Sequence, residues 1–167
     1  MTTPFESCVA AVRQPGPVEV LFKTVDKALA DTVGHKLFTL LYVAPGAKRV
    51  KRIYTNMPKE YPVGGYKEVT ESPWHKRLIG ERKSWVGFNK ADVAWAFFDH
   101  ELIHSLGCES AINVPVIYAG RVLGTMNLLA EANHYKEADA ATIETYAALL
   151  IGPFLDAIAA DPDIQGG

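Results

Sequence analysis

His100, Glu101 and His104 stand in the order His-Glu-x-x-His. Residues four apart share one face of a helix, so the two imidazoles could hold Zn²⁺ while Glu101 activates a water as general base. Gly107 extends the match, but the place of a third histidine ligand is taken by Ser110. A zinc hydrolase of this kind also has its sheet ahead of the motif helix, whereas here two β-like runs follow it. A plainer reading has Asp99, His100 and His104 capping and solvating a helix edge. A non-proteolytic metal site would need His75 or His134 beside the pair, and the expectation is that no metal and no cofactor is held.

Cys108 comes just after this helix. No Lys or Arg adjoins it to lower the thiol pKa, and Glu109 would raise it, so a buried structural thiol is expected rather than a nucleophile. Were the chain an enzyme acting on a small polar metabolite, Asp99, His100, His104 and Cys108 would be its acid–base and nucleophile candidates. Trp74, Trp85, Trp95, Phe97 and Phe98 crowd the middle of the chain. Aromatics at irregular spacing suit a core as well as a ligand cage. Tyr54, Tyr61, Gly64, Gly65 and Tyr66 could form a loop closing over a ligand or a plain surface loop. The basic run Lys48-Arg49-Val50-Lys51-Arg52 alternates with strand-like residues and reads as the solvated side of a strand rather than a phosphate site.

Elements must position these residues. After the breaker Gln14-Pro15-Gly16-Pro17, apolar residues Val20, Leu21, Val25, Leu29 and Val33 recur at helical steps, predicting a helix over about 17–34 that stops at Gly34. Leu37 to Val43 reads as a strand, Ala44-Pro45-Gly46-Ala47 as a turn, and Arg49 to Tyr54 as its hairpin partner. Asn56 to Tyr66 reads as loop. Pro73-Trp74-His75 opens a short helix, with Pro at a tolerated first-turn position. Lys83 to Gly87 suggests a short strand, and Asn89 to Phe98 has no clean period. Asp99 is an expected N-cap for a helix whose stripe is Leu102, Ile103 and Leu106, ended by Gly107. Glu109 to Tyr118 and Arg121 to Leu129 read as strands. A long helix over about 137–160 follows, kinked at Pro153, and Asp161 to Gly167 reads as frayed.

A two-residue turn between these last strands would put Ala119 at positive φ, which favours a three-residue loop, Tyr118-Ala119-Gly120. That loop pairs Pro115 with Leu123, Asn113 with Thr125 and Ala111 with Asn127. One face of the hairpin is then apolar: Ile112, Val114, Val116, Val122, Gly124, Met126 and Leu128. The other carries Ala111, Asn113, Pro115, Thr125 and Asn127. Buried amides need partners, so this second face looks into a pocket or onto crossing loops.

At 167 residues, with 49% hydrophobic and 22% charged residues, the chain is expected to be one α+β domain over 1–167. An antiparallel sheet with terminal helices on one face and irregular structure on the other fits the order of elements. The formal charge of −2 argues against nucleic acid as a partner. No run nears the roughly 18 apolar residues of a membrane span, and Met1 to Val12 lacks the hydrophobic segment of a signal peptide. The two cysteines lack metal-ligand spacing, so a cytoplasmic protein with free thiols is expected.

The stretch Leu106-Gly107-Cys108-Glu109-Ser110-Ala111-Ile112-Asn113-Val114-Pro115-Val116, followed by Ala119-Gly120-Arg121-Val122-Leu123-Gly124-Thr125-Met126-Asn127-Leu128-Leu129, resembles the hairpin of the GAF family. With flanking helices the resemblance covers roughly 17–160. It implies a sheet of about six strands, helices on one side and a small-molecule pocket on the other. It also implies a sensory or regulatory role, with dimerisation through the terminal helices. No output domain is read within this chain. The cyclic-nucleotide signature of the family begins as Asn89-Lys90 here, but Phe97-Phe98-Asp99-His100-Glu101 breaks its ending. The GAF-type free methionine sulfoxide reductases place a reactive Cys where this chain has His104. The expected ligand site comprises Trp74, Trp95, Phe98, His100, Ser110, Asn113 and Asn127, with a homodimer and a small molecule as partners.

Overall fold

A computed structural model describes residues 1–46 and 48–165. Helix α1 (Pro4–Val12) opens the chain. Thr3 caps it, accepting from Glu6 N at 3.2 Å while Glu6 Oε2 accepts from Thr3 N at 2.7 Å. This reciprocal box satisfies two otherwise orphaned donors. Helix α2 (Val18–Thr32) buries Leu21, Phe22, Val25, Ala28 and Leu29, and its chain turns out at Gly34 with φ +80°. Strands β1 (Leu37–Val43) and β2 (Arg49–Thr55) pair antiparallel. Of the turn joining them, Ala47 lies outside the described residues.

The segment expected to be loop through Tyr66 ends in a further strand, β3 (Tyr66–Glu68), laid on β2 with Lys51 opposite Tyr66. Helix α3 (Pro73–His75), capped by Ser72, runs into a single π-turn over Lys76–Gly80. Strand β4 (Trp85–Gly87), helix α4 (Lys90–Ala96) and helix α5 (His100–Ser105) follow. Asp99 does not cap α5 with its side chain. In the expected stripe Ile103 is buried, but Leu102 faces solvent. A six-residue helix has too few turns to bury a second apolar position.

Strands β5 (Ser110–Tyr118) and β6 (Arg121–Ala130) form the central hairpin. The six strands make one antiparallel sheet in the order β3-β2-β1-β6-β5-β4. The expected three-residue loop is corrected: Tyr118 pairs with Arg121, leaving a two-residue turn with Ala119 at φ +49° and Gly120 at φ +77°. A primed turn matches strand twist, and that gain outweighs a left-handed alanine, which costs about 1–2 kcal/mol. The register differs too. Asn113 faces Asn127, Pro115 faces Thr125 and Ala111 faces Leu129, with a bulge near Ile117 and Val122 absorbing one residue of β6. Relative to expectation the strand body slides by an even step, so each residue keeps its face. At the bulge, Leu123 rather than Val122 joins the helix-side cluster.

The C-terminal helix breaks earlier than Pro153. Helix α6 (Asp139–Leu149) and helix α7 (Ile151–Ala160) meet at Leu150 with a 54° bend. Pro153 lacks the N–H that would bond the Leu149 carbonyl, and its ring crowds that carbonyl, so the break falls one turn upstream. Part of the tail expected to fray forms helix α8 (Pro162–Gln165); Gly166 and Gly167 lie outside the described residues. Among the described residues no single helix is long and apolar enough to cross a membrane.

Alternation along the strands divides the core. Phe38, Leu40, Tyr42, Ile112, Val114, Met126 and Leu128 meet α1, α2, α6 and α7. Opposite them, Leu37, Ala111 and Leu129 meet Tyr61, Trp85, Val93, Ile103 and Cys108 from the irregular middle. On the helix side packing is so close that a Cβ at Gly124 would lie 2.2 Å from the Leu41 carbonyl and 2.3 Å from the Phe154 ring.

Candidate functional site

On the irregular side the two layers part, leaving a cavity of about 410 Å³. That is within the usual range for small-molecule pockets. Its floor is the odd-numbered face of β1 and β6: Leu37, Thr39, Leu41, Thr125, Asn127 and Leu129. Val50 and Arg52 of β2 and Lys67 of β3 form one end. Trp74 after the Ser72 cap, and Trp95, Phe97, Phe98 and Asp99 at the end of α4, complete the lining, with Phe98 against Lys67. Alpha4 is held in place by its own cap, Asn89 accepting from Asp92 N, and by Asp92 Oδ2 accepting from Phe88 N at 2.7 Å.

The buried polar row of the floor is closed on itself. Asn113 Nδ2 donates to Asn127 Oδ1 at 2.6 Å, and Asn127 Nδ2 donates to Thr39 Oγ1 at 3.2 Å. Trp74 Nε1 donates to Asn113 Oδ1 at 3.2 Å, fixing the indole against the sheet. These bonds follow from the register, since Asn113, Asn127 and Thr39 are cross-strand neighbours. A buried amide satisfied in this way anchors structure.

The cationic end is different. Arg52 Nη1 donates to the Pro62 carbonyl at 2.9 Å and the guanidinium stacks 4.9 Å from the Tyr61 ring centroid. Its buried Nε has no hydrogen-bond partner. Loss of hydration lowers the guanidinium pKa, against the opposing pull of Tyr61 and Asp99. The Lys67 ammonium sits 4.0 Å from the Phe98 ring centroid, and desolvation lowers its pKa as well. Tyr61 O–H donates to Asp99 Oδ2 at 2.9 Å. Burial first, and then this carboxylate, hold the phenol well above its ordinary pKa.

Of the residues singled out by sequence, Trp74, Trp95, Phe98, Asp99 and Asn127 line the cavity. Asn113 supports it from behind through Trp74 and Asn127. Ser110 and His100 do not line it. Ser110 Oγ is spent on the Glu131 carbonyl at 2.6 Å, closing the β5–β6 end. The His100 and His104 rings lie 5.6 Å apart, yet no group of three His, Cys, Asp or Glu among the described residues could hold a metal. His134 is engaged elsewhere, with the Val33 carbonyl at 2.7 Å. Cys108 is fully buried, and burial pushes its thiol up to about 11 despite the nearby Lys36. Asn89 and Lys90 serve structure, the first as a cap and the second in a 3.3 Å pair with Glu109.

The basic run read as a solvated strand side needs correction. Arg49 packs 4.5 Å from the Tyr66 ring centroid and Lys51 pairs with buried Asp161 at 3.2 Å, both on the helix side. Arg52 turns the other way, into the cavity. Its alternation with Val50 was the available signal, since the two share a face on period-2 grounds.

No protein-family model matches the chain, and no curated protein matches it in sequence. Solved structures do match its fold. The GAF domain of a Coxiella burnetii phosphoenolpyruvate-protein phosphotransferase is 16% identical, with 93% of each chain covered and a TM-score of 0.74. The GAF domain of a Bacillus halodurans two-component sensor histidine kinase is 13% identical, covering 91% of this chain and 99% of that one, with a TM-score of 0.64. A free methionine-R-sulfoxide reductase from Neisseria meningitidis, solved with its substrate, is 15% identical over 95% and 92% of the two chains, with a TM-score of 0.61. The chain has the GAF fold: an open six-stranded antiparallel sheet in an α+β architecture. At such identities the likeness speaks for fold alone.

Proposed function

We propose that this chain is a sensory or regulatory domain that binds a small molecule in the cavity between β1, β6 and α4. The observation that carries the reading is the 410 Å³ space itself, opposite a sheet face where a single added methyl group would not fit. A floor of satisfied amides and a wall of aromatics give a site that is formed before its ligand arrives. A GAF domain of one sensor histidine kinase, a domain of a protein named as a second such kinase and a segment of a methyl-accepting chemotaxis protein share the fold, which is consistent with such a role. Pairing of two copies through the terminal helices and a cytoplasmic setting belong to the same reading. Val12, Val18 and Val20, exposed near the α1–α2 corner, supply apolar side chains for that pairing.

The enzymatic alternative keeps only Asp99 of its four candidates at the cavity, with one carboxylate oxygen already taken by Tyr61. The test is a melting-temperature screen against a metabolite library, run on the wild type and on Leu41→Trp, which fills the cavity from β1. A ligand at a hundred times its Kd should stabilise the wild type by about 2.7 kcal/mol and leave the filled variant unmoved. A library without a single stabilising compound, or shifts that survive filling, would contradict the reading.

A further inference from the structure

The cavity is chemically asymmetric. At one end, Arg52 and Lys67 bring two cations to the same wall, and no carboxylate lies within ion-pair distance of either among the described residues. Arg52 also presents a buried Nε without a partner. The neighbouring Asp99 carboxylate attracts both cations without contacting either, and its Oδ2 accepts from Tyr61, so the cations outnumber it two to one at this end. The rest of the lining is chiefly apolar: Leu37, Leu129, Trp74 and Phe97.

A cationic ligand suits this end poorly. Two aromatic faces that could receive it, Tyr61 and Phe98, already carry the protein's own Arg52 and Lys67. An unpaired guanidinium that has lost part of its hydration is instead stabilised by an anion. Its N–H fork matches the two oxygens of a carboxylate. From this geometry we infer that the natural ligand is an amphipathic organic acid. Its carboxylate is held by Arg52 and Lys67, and its apolar body lies over Leu129 against the contacting rings of Trp74 and Phe97. This rests on the reading of the cavity as a ligand site and names the ligand's chemical class.

The probes are 3-phenylpropionate and hexanoate, their neutral twins 3-phenylpropionamide and hexanamide, and the amine 3-phenylpropylamine. Binding is followed by the fluorescence of Trp74 and Trp95 and confirmed by calorimetry. The acids should bind about ten- to a hundredfold more tightly than the amides, as a charge-assisted pair requires, and the amine more weakly still. Arg52→Gln should erase the preference for acid over amide. Lys67→Gln, at an exposed position that tolerates change, should reduce it and serves as the second variant if Arg52→Gln folds poorly. Amides binding as well as acids would overturn the carboxylate assignment while leaving a ligand site. Failure of every probe to bind the folded wild type would overturn the assignment and count against the site as well.

Discussion

Lys51 and Arg52 are adjacent in sequence and opposite in circumstance. Lys51 points to the helix-packed face and meets Asp161, which is 2% exposed and also accepts from Tyr66. Arg52 points to the irregular face and meets a backbone carbonyl, an aromatic ring and empty space. One strand thus puts the same kind of charge to two uses because its side chains alternate. On the packed face the space at Gly124 is filled and a charge is paired. On the open face the amides are paired and a guanidinium is left over. The residue with capacity to spare is the one that marks the site.

That contrast can be broken most severely on the packed face. Gly124→Ala would drive a methyl group against the Leu41 carbonyl and the Phe154 ring, and neither a sheet backbone nor a ring held by α7 gives way easily. Loss of at least about 3 kcal/mol is expected, read as a fall in the urea midpoint or failure to fold. A variant with wild-type stability would mean that the helix layer is looser than described.

Next come the two basic neighbours. Lys51→Ala strips the cation from a buried carboxylate and should cost about 2–4 kcal/mol. Arg52→Gln removes an unpaired, half-buried charge and should leave stability within about 1 kcal/mol of wild type while erasing the preference for acid over amide. Denaturation curves and the fluorescence titration, run on the same preparations, check both halves. Equal destabilisation by the two substitutions would erase the distinction between them.

The smallest effect concerns the thiols, which sit one in each layer. Cys8 lies under the helices and Cys108 under the irregular segment, and burial pushes both up to about 11. A thiol whose folded pKa is raised contributes stability at neutral pH that is lost as pH climbs from about 9 towards 11. Alkylation by iodoacetamide at pH 8 should therefore be negligible in the native protein. In sub-denaturing urea Cys108 should react before Cys8, because the layer over it is thinner and interrupted by the cavity. Mass spectrometry of the labelled peptides reads the order, and the reverse order would place the weaker layer on the helix side.

Much of the architecture was legible in the sequence because its signals are local. An apolar β-like run located β1, period-2 alternation located β2, two further β-like runs located β5 and β6, and helical spacing located α2. The face assignment of the central hairpin survived an incorrect register, since the slip was an even number of residues. Elsewhere a tertiary gain overrode local preference. Ala119 accepts a left-handed turn for the sake of strand twist. Helix α1 is signalled only by the box Thr3-x-x-Glu6, a weaker mark than the breaker at Pro15 and Pro17. Three-residue β3 has no periodicity to detect. The site was read least completely. Aromatics and hairpin amides drew attention by type, whereas the significance of Arg52 lies in what it lacks, and a missing partner is visible only in three dimensions.

The central claim is that the irregular face of the sheet encloses an open site whose unpaired cation awaits an acid. A crystal structure of the protein with 3-phenylpropionate tests it most directly. The account predicts the ring over Leu129 against Trp74 and Phe97, and the carboxylate about 3 Å from the Arg52 nitrogens. A cavity closed by its own aromatic side chains, with Arg52 turned out to solvent, would contradict it.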